Sequence, residues 1–293
     1  MLYNWNVIGH EKELKTLEDN FLNGNIHHAY LLLGPEKIGK FRVVRAAAGI
    51  LQCPNNFCHK CPTCIQIEKR CHLDTIEIED DGESIKIDAI RDVIMRLNMT
   101  TQNRYKLLLM QNISRLTDEA ANCLLKTLEE PPEKTVFIFT ADHLNDIKPT
   151  IASRMQIINF KKLSDETLKA ALKKLHPEIQ DEILDQIIIL SLGRSGTAIQ
   201  LLSNQEQFQE LHEMYRHIQF LDEKASLSTR FAAVNDIMQD SRKMKIFLSL
   251  LVHYLRKKML DTRNRLHQNA AIKTLEKIHK ALNLLNYNVN QRL

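Results

Sequence analysis

Residues Gly34 to Lys40, with the sequence GPEKIGK, have the spacing of a phosphate-binding loop. The pattern G-x-x-x-x-G-K presents backbone N–H groups and a lysine to nucleotide phosphates when it lies between a strand and a helix. The next residue in this pattern is Ser or Thr, whose hydroxyl binds Mg²⁺. Here it is Phe41, whose ring cannot bind a metal ion. The sequence therefore predicts a degenerate phosphate loop at Gly34, Gly39 and Lys40, with passive nucleotide binding as an open alternative.

Four cysteines with the spacing C-x4-C-x2-C-x2-C form a second candidate site. They are Cys53, Cys58, Cys61 and Cys64. Four thiolates suit tetrahedral Zn²⁺, and a site with no open ligand position is structural rather than catalytic. Clustered cysteines in a reducing cytosol indicate a metal rather than disulfides. The sequence thus predicts a structural zinc site, with Cys71 or His72 as substitute ligands and free buried thiols as the alternatives.

A carboxylate that ATP hydrolysis requires is missing after a predicted strand. A hydrolysing phosphate loop needs an acidic residue at the end of a neighbouring strand, where it holds Mg²⁺ and positions water. The strand at Tyr105–Met110 should deliver it, but Gln111 and Asn112 follow. Neutral amides cannot replace a carboxylate as a strong Mg²⁺ ligand or as a base. Because this loss is independent of Phe41, we expect that the chain does not hydrolyse ATP.

Alternating strand and helix patterns predict the elements that position these residues. Apolar strands separated by helices continue to about residue 160, which indicates a parallel sheet covered on both faces. Beyond that point the strand pattern stops and helical periodicity continues. The predicted strands are Tyr30–Leu33, Thr75–Ile78, Tyr105–Met110, Thr135–Thr140 and Met155–Phe160.

The composition is ordinary for a soluble globular protein. The 293 residues are 26% charged and 44% hydrophobic, which suits two or three domains. No apolar run is long enough for a membrane span, and the N-terminus lacks a signal-peptide pattern, so we expect a cytoplasmic protein. The net charge of +4 is too mild to indicate nucleic-acid binding by itself. The basic stretch His253–Lys280 indicates a solvated helix face or, alternatively, a DNA-facing surface.

Further motifs accompany these sites. They are His28-Ala29-Tyr30 before the phosphate loop, Leu116–Asn122 running into Leu124–Pro132, and Ser153-Arg154. Together with the cysteine insert they resemble the clamp-loader branch of the AAA+ ATPases, and within it the delta-prime subunits of bacterial DNA polymerase III. The resemblance covers residues 1–205 well and the C-terminal helices loosely.

The resemblance implies a three-domain architecture. It consists of an AAA+ α/β domain at 1–160 with a zinc-binding insert at 53–64, a small helical lid at 161–205, and an all-α collar domain at 206–293. It also implies a hetero-oligomer with the gamma/tau and delta subunits, which engages the sliding clamp and primed DNA through the complex. No catalytic activity of its own is expected from such a subunit of the DNA polymerase holoenzyme.

The resemblance gives Arg154 a role. The family's Ser-Arg-Cys motif, which reads Ser153-Arg154-Met155 here, places an arginine in the ATP site of the neighbouring subunit. A guanidinium is always charged and matches phosphate oxygens in a fork. Supplied across an interface, it is worth ~10³–10⁵ in rate. The structural alternative is a surface arginine paired with a carboxylate.

Two further family positions follow from the same resemblance. Thr140 matches the first sensor position, with a strand-end hydroxyl that binds backbone as its alternative. Gly196 lies where the lid's ATP-sensing arginine would fall. The implied function is a non-hydrolysing stator subunit. An active clamp-loader ATPase and a zinc-dependent nucleic-acid-binding module are the alternatives.

Overall fold

A computed structural model of the chain describes residues 3–222, 240–261 and 265–286. The chain divides into two compact units. The first holds the described residues up to 171 together with 194–196, and the second holds 172–193 and the described residues from 197 onward. All the candidate site residues lie in the first unit. Within the described ranges, no helix is both long and apolar enough to cross a membrane.

The first unit is built on a five-stranded parallel sheet with the order β2-β3-β4-β1-β5. The strands are Ala29–Leu33 (β1), Thr75–Ile78 (β2), Lys106–Met110 (β3), Thr135–Ala141 (β4) and Gln156–Asn159 (β5). Every residue of β3 and β4 is buried, because helices cover both faces of these inner strands. The predicted parallel sheet is confirmed.

Two apolar cores flank the sheet, because successive strand residues point to opposite faces. Tyr30 and Leu32 contribute to one core and Leu31 to the other. The first core includes residues of α1 (Glu11–Leu22), α2 (Lys40–Gln52) and α3 (Pro62–Glu68). The second includes residues of α4 (Ile87–Leu97), α5 (Asp118–Glu129) and α6 (Pro149–Ala152).

Helices follow β5 through the rest of the described chain. They are α7 (Asp165–Leu175), α8 (Asp181–Ser191), α9 (Ser195–Ser203), α10 (Gln205–Asp222), α11 (Ser241–Asp261) and α12 (Arg265–Asn286). The predicted change from strands to helices is therefore confirmed. The domain boundaries at 160 and 205 stay predictions. Residues 223–239, 262–264 and 287–293 of the predicted collar, with part of the basic stretch, lie outside the described residues.

The strand order brings the candidate positions to one edge of the sheet. Strand β1 lies between β4 and β5, and β3 lies on the other side of β4. Because all five strands are parallel, the segments that follow them meet at the same edge, where α/β proteins bind ligands. The phosphate loop after β1 therefore lies next to Asp142 after β4, and Asn112 after β3 lies one strand further along the same end of the sheet.

Candidate functional site

The phosphate loop joins β1 to α2, and its lysine contacts the loop itself. Lys40 Nζ donates to the backbone carbonyl of Gly34, to that of Pro35 at 2.8 Å, and to Asp142 Oδ1 at 2.8 Å. An ammonium has three N–H donors, so protein oxygens account for all of them. Lys40 is only 7% exposed, and burial lowers its pKa although Asp142 acts in the opposite direction. The ammonium of Lys40 thus binds oxygens of its own chain.

The backbone conformation of the loop explains why Gly34 and Gly39 are glycines. Gly34 has φ 149°, and a Cβ there would lie 2.2 Å from the carbonyl oxygen of Phe160. Gly39 is the N-cap of α2 with φ 95°, a left-handed conformation that favours glycine. The loop pattern therefore serves the strand–turn–helix geometry whether or not a nucleotide binds.

Phe41 is a packing residue in this structure. Its ring packs against the core that contains α2, and the guanidinium carbon of Arg45 lies 5.0 Å from the ring centroid. Arg45 also pairs with Glu77 and Glu79 of the β2 region. The position where a metal-binding hydroxyl is expected therefore carries a ring that stabilises α2.

Asn112, in the segment after β3, is held by hydrogen bonds. Its backbone N–H donates to Thr140 Oγ1 at 2.9 Å, and its Nδ2 donates to Asp80 Oδ2 at 2.8 Å. Asp80 also pairs with Arg115 at 3.2 Å. The Thr140 hydroxyl thus binds backbone, which is the structural alternative for this position. A neutral amide occupies the place where hydrolysis requires a carboxylate.

Residues 194–196, which belong to the same unit as the phosphate loop, pack against it. The Gly196 N–H donates to Lys37 O at 2.7 Å, and Ser195 Oγ donates to Ile38 O at 3.1 Å. His10 Nε2 also lies 3.1 Å from Ile38 O. A Cβ at position 196 would lie 2.6 Å from Lys37 O. No arginine could stand at Gly196 without displacing this contact.

The four cysteines after α2 form a compact cluster. Their Sγ atoms all lie within 4.8 Å of one another. The separations are 3.7 Å for Cys53–Cys61, 3.9 Å for Cys53–Cys58, 3.5 Å for Cys61–Cys64 and 4.0 Å for Cys58–Cys64. A tetrahedral zinc with Zn–S bonds of about 2.3 Å requires S···S separations of about 3.8 Å. The cluster therefore has the donors and the size for a metal ion such as zinc.

The substitute ligands considered from the sequence lie outside this cluster. Among the described residues the cluster contains Cys53 and neither Cys71 nor His72. Cys71 is exposed, and His72 Nδ1 lies 3.0 Å from Thr75 Oγ1.

Phe57 anchors the cysteine loop to α2. A Cβ on Gly49 of α2 would lie 2.2 Å from the ring of Phe57, so glycine makes room for this contact. Asn56, Phe57 and His59 all have positive φ, which the tight turns between the cysteines require.

The thiols of the cluster differ in acidity. Backbone N–H groups of Lys60 and Cys61 lower the pKa of Cys58 to about 6. Burial, and then the neighbouring sulfurs of Cys53 and Cys61, raise the pKa of Cys64. Because the thiolate is the form that binds metals, Cys58 is already prepared as a ligand near neutral pH.

Ser153 and Arg154 lie between α6 and β5. Arg154 NH1 donates to Thr150 O at 2.6 Å and to Ser153 Oγ at 3.3 Å, and NH2 pairs with Glu129 Oε1 at 2.5 Å. The Arg154 side chain is 34% exposed. The carboxylate partner expected from the structural alternative is therefore present, on a guanidinium that solvent can still reach.

The segment that carries Arg154 is fixed on α5. Ile151 and Met155 are buried in the core that also contains residues of α5, so methionine fills a packing position in the third place of the motif. Lys148 pairs with Asp118 at the start of α5 at 2.8 Å. Ion pairs thus tether this segment to both ends of the helix.

Two carboxylates were missed by sequence reasoning, Asp142 and Glu129. Asp142 follows a fully buried strand at the ligand-binding edge of the sheet, which is itself a signal. Glu129 lies in the last turn of α5 beside a second acid, Glu130, and no local pattern separates the two, so its pairing with Arg154 emerges only from the fold.

Comparison with known proteins places these sites in context. A family model described as DNA polymerase III, delta subunit, matches residues 9–164. DNA polymerase III subunit gamma of Buchnera aphidicola subsp. Schizaphis graminum is 34% identical over 207 residues, which cover 68% of this chain and 57% of that protein. Subunit delta' of Haemophilus influenzae is 32% identical over 214 residues, which cover 71% and 63%. The chain thus spans about three fifths of these relatives.

A solved structure resembles this fold. The gamma subunit-related protein of Thermotoga maritima has a TM-score of 0.53 and 18% identity, and the match covers 94% of each chain. This likeness concerns the fold, and the predicted AAA+ fold class is confirmed.

Proposed function

The chain belongs to the DNA polymerase III delta-subunit family, and from this premise we propose that it is a non-hydrolysing clamp-loader subunit that supplies Arg154 to the ATP site of a neighbouring subunit. Relatives named gamma and delta' both match this chain, so its own residues must decide between a hydrolysing and a non-hydrolysing role.

One observation supports the non-hydrolysing role: Phe41 and Asn112 occupy the positions that serve Mg²⁺ in a phosphate-loop ATPase, and neither carries a suitable oxygen. The ring of Phe41 packs against the core at the position where a hydroxyl is required. Asn112 presents an amide that donates to Asp80 where a carboxylate is required. Either change alone would weaken Mg²⁺ binding, and together they remove both protein ligands that a phosphate loop uses.

The remaining charges at this edge support the same role. Asp142 and Asp80 are carboxylates that follow strands at this end of the sheet, but Asp142 pairs with Lys40 and Asp80 pairs with Arg115. Lys40 would have to leave three protein oxygens before it could bind a phosphate.

Arg154 supports the action in trans. Its guanidinium carries a permanent charge, and its partial exposure allows contact with a phosphate on another subunit. Such an arginine stabilises the charge that develops on the γ-phosphate during hydrolysis.

The proposed setting is a clamp loader in DNA replication. The partners are the gamma/tau and delta subunits, and the complex would act on the sliding clamp and primed DNA in the cytoplasm. The cysteine cluster would hold Zn²⁺ as a structural ion that fixes residues 53–64 against α2.

The test is ATP turnover by a loader reconstituted from this chain with gamma/tau and delta. We expect Arg154→Ala to reduce clamp- and DNA-stimulated turnover by at least ~10²-fold, because an arginine finger is worth ~10³–10⁵ in rate. The complex should still assemble, as size-exclusion chromatography would show.

Arg91→Ala is the matched control, because Arg91 is an exposed arginine of the same unit that pairs with Asp88. Unchanged turnover with Arg154→Ala would contradict the assignment of the arginine finger. Mg²⁺-dependent ATP turnover by the isolated chain would contradict the non-hydrolysing role.

A further inference from the structure

Helix α5 ends at the acidic residue Glu129, and a second acidic residue, Glu130, is its C-cap. Both lie at the end of the helix where the dipole disfavours negative charge. Only Glu129 contacts the guanidinium of Arg154. The two residues therefore have the same charge and are neighbours at the end of the helix, and they differ in this contact.

The contacts of Arg154 leave part of its guanidinium uncommitted. A guanidinium has five N–H donors. NH1 donates to Thr150 O and Ser153 Oγ, and NH2 donates to Glu129. Within the described residues, Nε donates to no partner. The guanidinium is thus held by three oxygens from one protein and keeps donors for a further anion.

A long flexible side chain loses rotamer freedom when it binds, and this loss weakens the interaction. The backbone carbonyl of Thr150 restrains one nitrogen of Arg154, and the Glu129 carboxylate restrains the other. Contacts at both nitrogens fix the plane of the guanidinium before a phosphate arrives. Orientation before binding is worth most for a group that must meet a transition state within a fraction of an ångström.

We propose that Glu129 is a positioning residue that orients Arg154 for the phosphate of a neighbouring subunit. This inference rests on the proposed role of Arg154 in trans. The inference gives the LLKTLEEPP motif a function, since Glu129, the first glutamate of the motif, orients Arg154. The tether of Lys148 to Asp118 fixes the other end of the same segment without contacting the guanidinium.

The test is a double-mutant cycle in the reconstituted loader. We expect Glu129→Ala to lower kcat for stimulated ATP turnover about tenfold, with the KM for ATP changed less than about threefold, because the lost interaction matters most in the transition state. Glu129→Gln keeps an oxygen acceptor and should retain most of the turnover. Glu130→Ala is the matched control and should behave as the wild type.

The decisive comparison uses the Arg154→Ala background. A residue that acts through Arg154 has no further effect once the arginine is absent, so Glu129→Ala should leave the turnover of Arg154→Ala unchanged. The same tenfold loss in both backgrounds would overturn the inference, because Glu129 would then act through the fold. Wild-type or raised turnover with Glu129→Ala alone would also overturn it.

The outcomes separate this inference from the proposed function. If Arg154→Ala has no effect, the proposed function fails. If Arg154→Ala has its effect and Glu129→Ala does not, only the positioning role fails. Thermal unfolding and assembly of each variant show whether Glu129→Ala folds, and the Glu129→Gln variant keeps the test informative if it does not.

Discussion

Lys40 and Arg154 each form an ion pair with a carboxylate, but their surroundings differ. Lys40 is 7% exposed and gives its three donors to the loop and to Asp142. Arg154 is 34% exposed and keeps donors that no described residue accepts. The difference shows that a motif residue can be present while its charged group binds only its own chain. A charged side chain can contact a partner only where it remains accessible.

The cysteine cluster resembles Lys40, because its side chains contact groups of their own chain. Its four Sγ atoms lie within 4.8 Å of one another, and Phe57 packs the loop onto α2. We expect side chains held in this way to stabilise the unit rather than to contact a partner. We therefore expect changes at the cluster or at Lys40 to reduce the stability of the protein, and changes at Arg154 to reduce ATP turnover by the loader.

Removal of the metal from the cysteine cluster should have the largest effect on stability. We expect Cys61→Ser, or treatment with a chelator, to lower the zinc content from about one ion per chain and to lower the free energy of unfolding by several kcal/mol, since metal binding by such sites is coupled to folding. Metal analysis and urea unfolding would measure the two quantities.

Cys71→Ser is the control for this experiment, because Cys71 is an exposed thiol outside the cluster. It should keep both zinc and stability. A wild-type protein that is fully folded and free of metal would contradict the prediction.

Lys40→Met should have the next largest effect. The substitution leaves the Asp142 carboxylate, which is 22% exposed, without its cation. Breaking a buried ion pair from one side costs about 3–5 kcal/mol, and the partial exposure of Asp142 lowers our expectation to about 2–3 kcal/mol. Urea unfolding of the purified chain would measure the loss.

ATP turnover by the loader reconstituted with Lys40→Met should stay within about twofold of wild type, because the Lys40 ammonium binds oxygens of its own chain. Lys86→Met, at an exposed lysine of the same unit, is the control for loss of a positive charge. A large loss of turnover in a stable Lys40→Met variant would show that the phosphate loop takes part in the chemistry.

The sequence predicts those features that depend on local spacing. The glycine-framed loop, the strands and the cysteine cluster each follow from residues that are close in the chain. The partners of the two cations do not, because Asp142 is 102 residues from Lys40 and Glu129 is 25 residues from Arg154. Only the strand order and the packing of α6 on α5 bring them together, and neither is encoded in a motif.

The smallest expected effect concerns His10, which contacts the phosphate loop. His10 is 5% exposed, and its ring lies 4.9 Å from that of Phe160. Burial lowers the pKa of His10 below its ordinary value of 6.5, although the Ile38 carbonyl and the charges of Glu13 and Glu11 act in the opposite direction. The folded state therefore takes up this proton at lower pH than the unfolded chain.

This difference has a defined sign. Near pH 6.5 and below, the unfolded chain binds a proton that folded His10 does not yet bind, so the stability that neutral His10 contributes above pH 6.5 is lost as the pH falls through its lower folded pKa.

We expect His10→Asn to lose less stability than the wild type between pH 7 and pH 5, because asparagine does not titrate and tolerates the left-handed backbone of this position. His28 and His72, whose pKa values burial also lowers, should keep part of the acid sensitivity in the variant. Urea unfolding at each pH would measure the difference, and equal losses in both proteins would show that His10 does not couple the phosphate loop to pH.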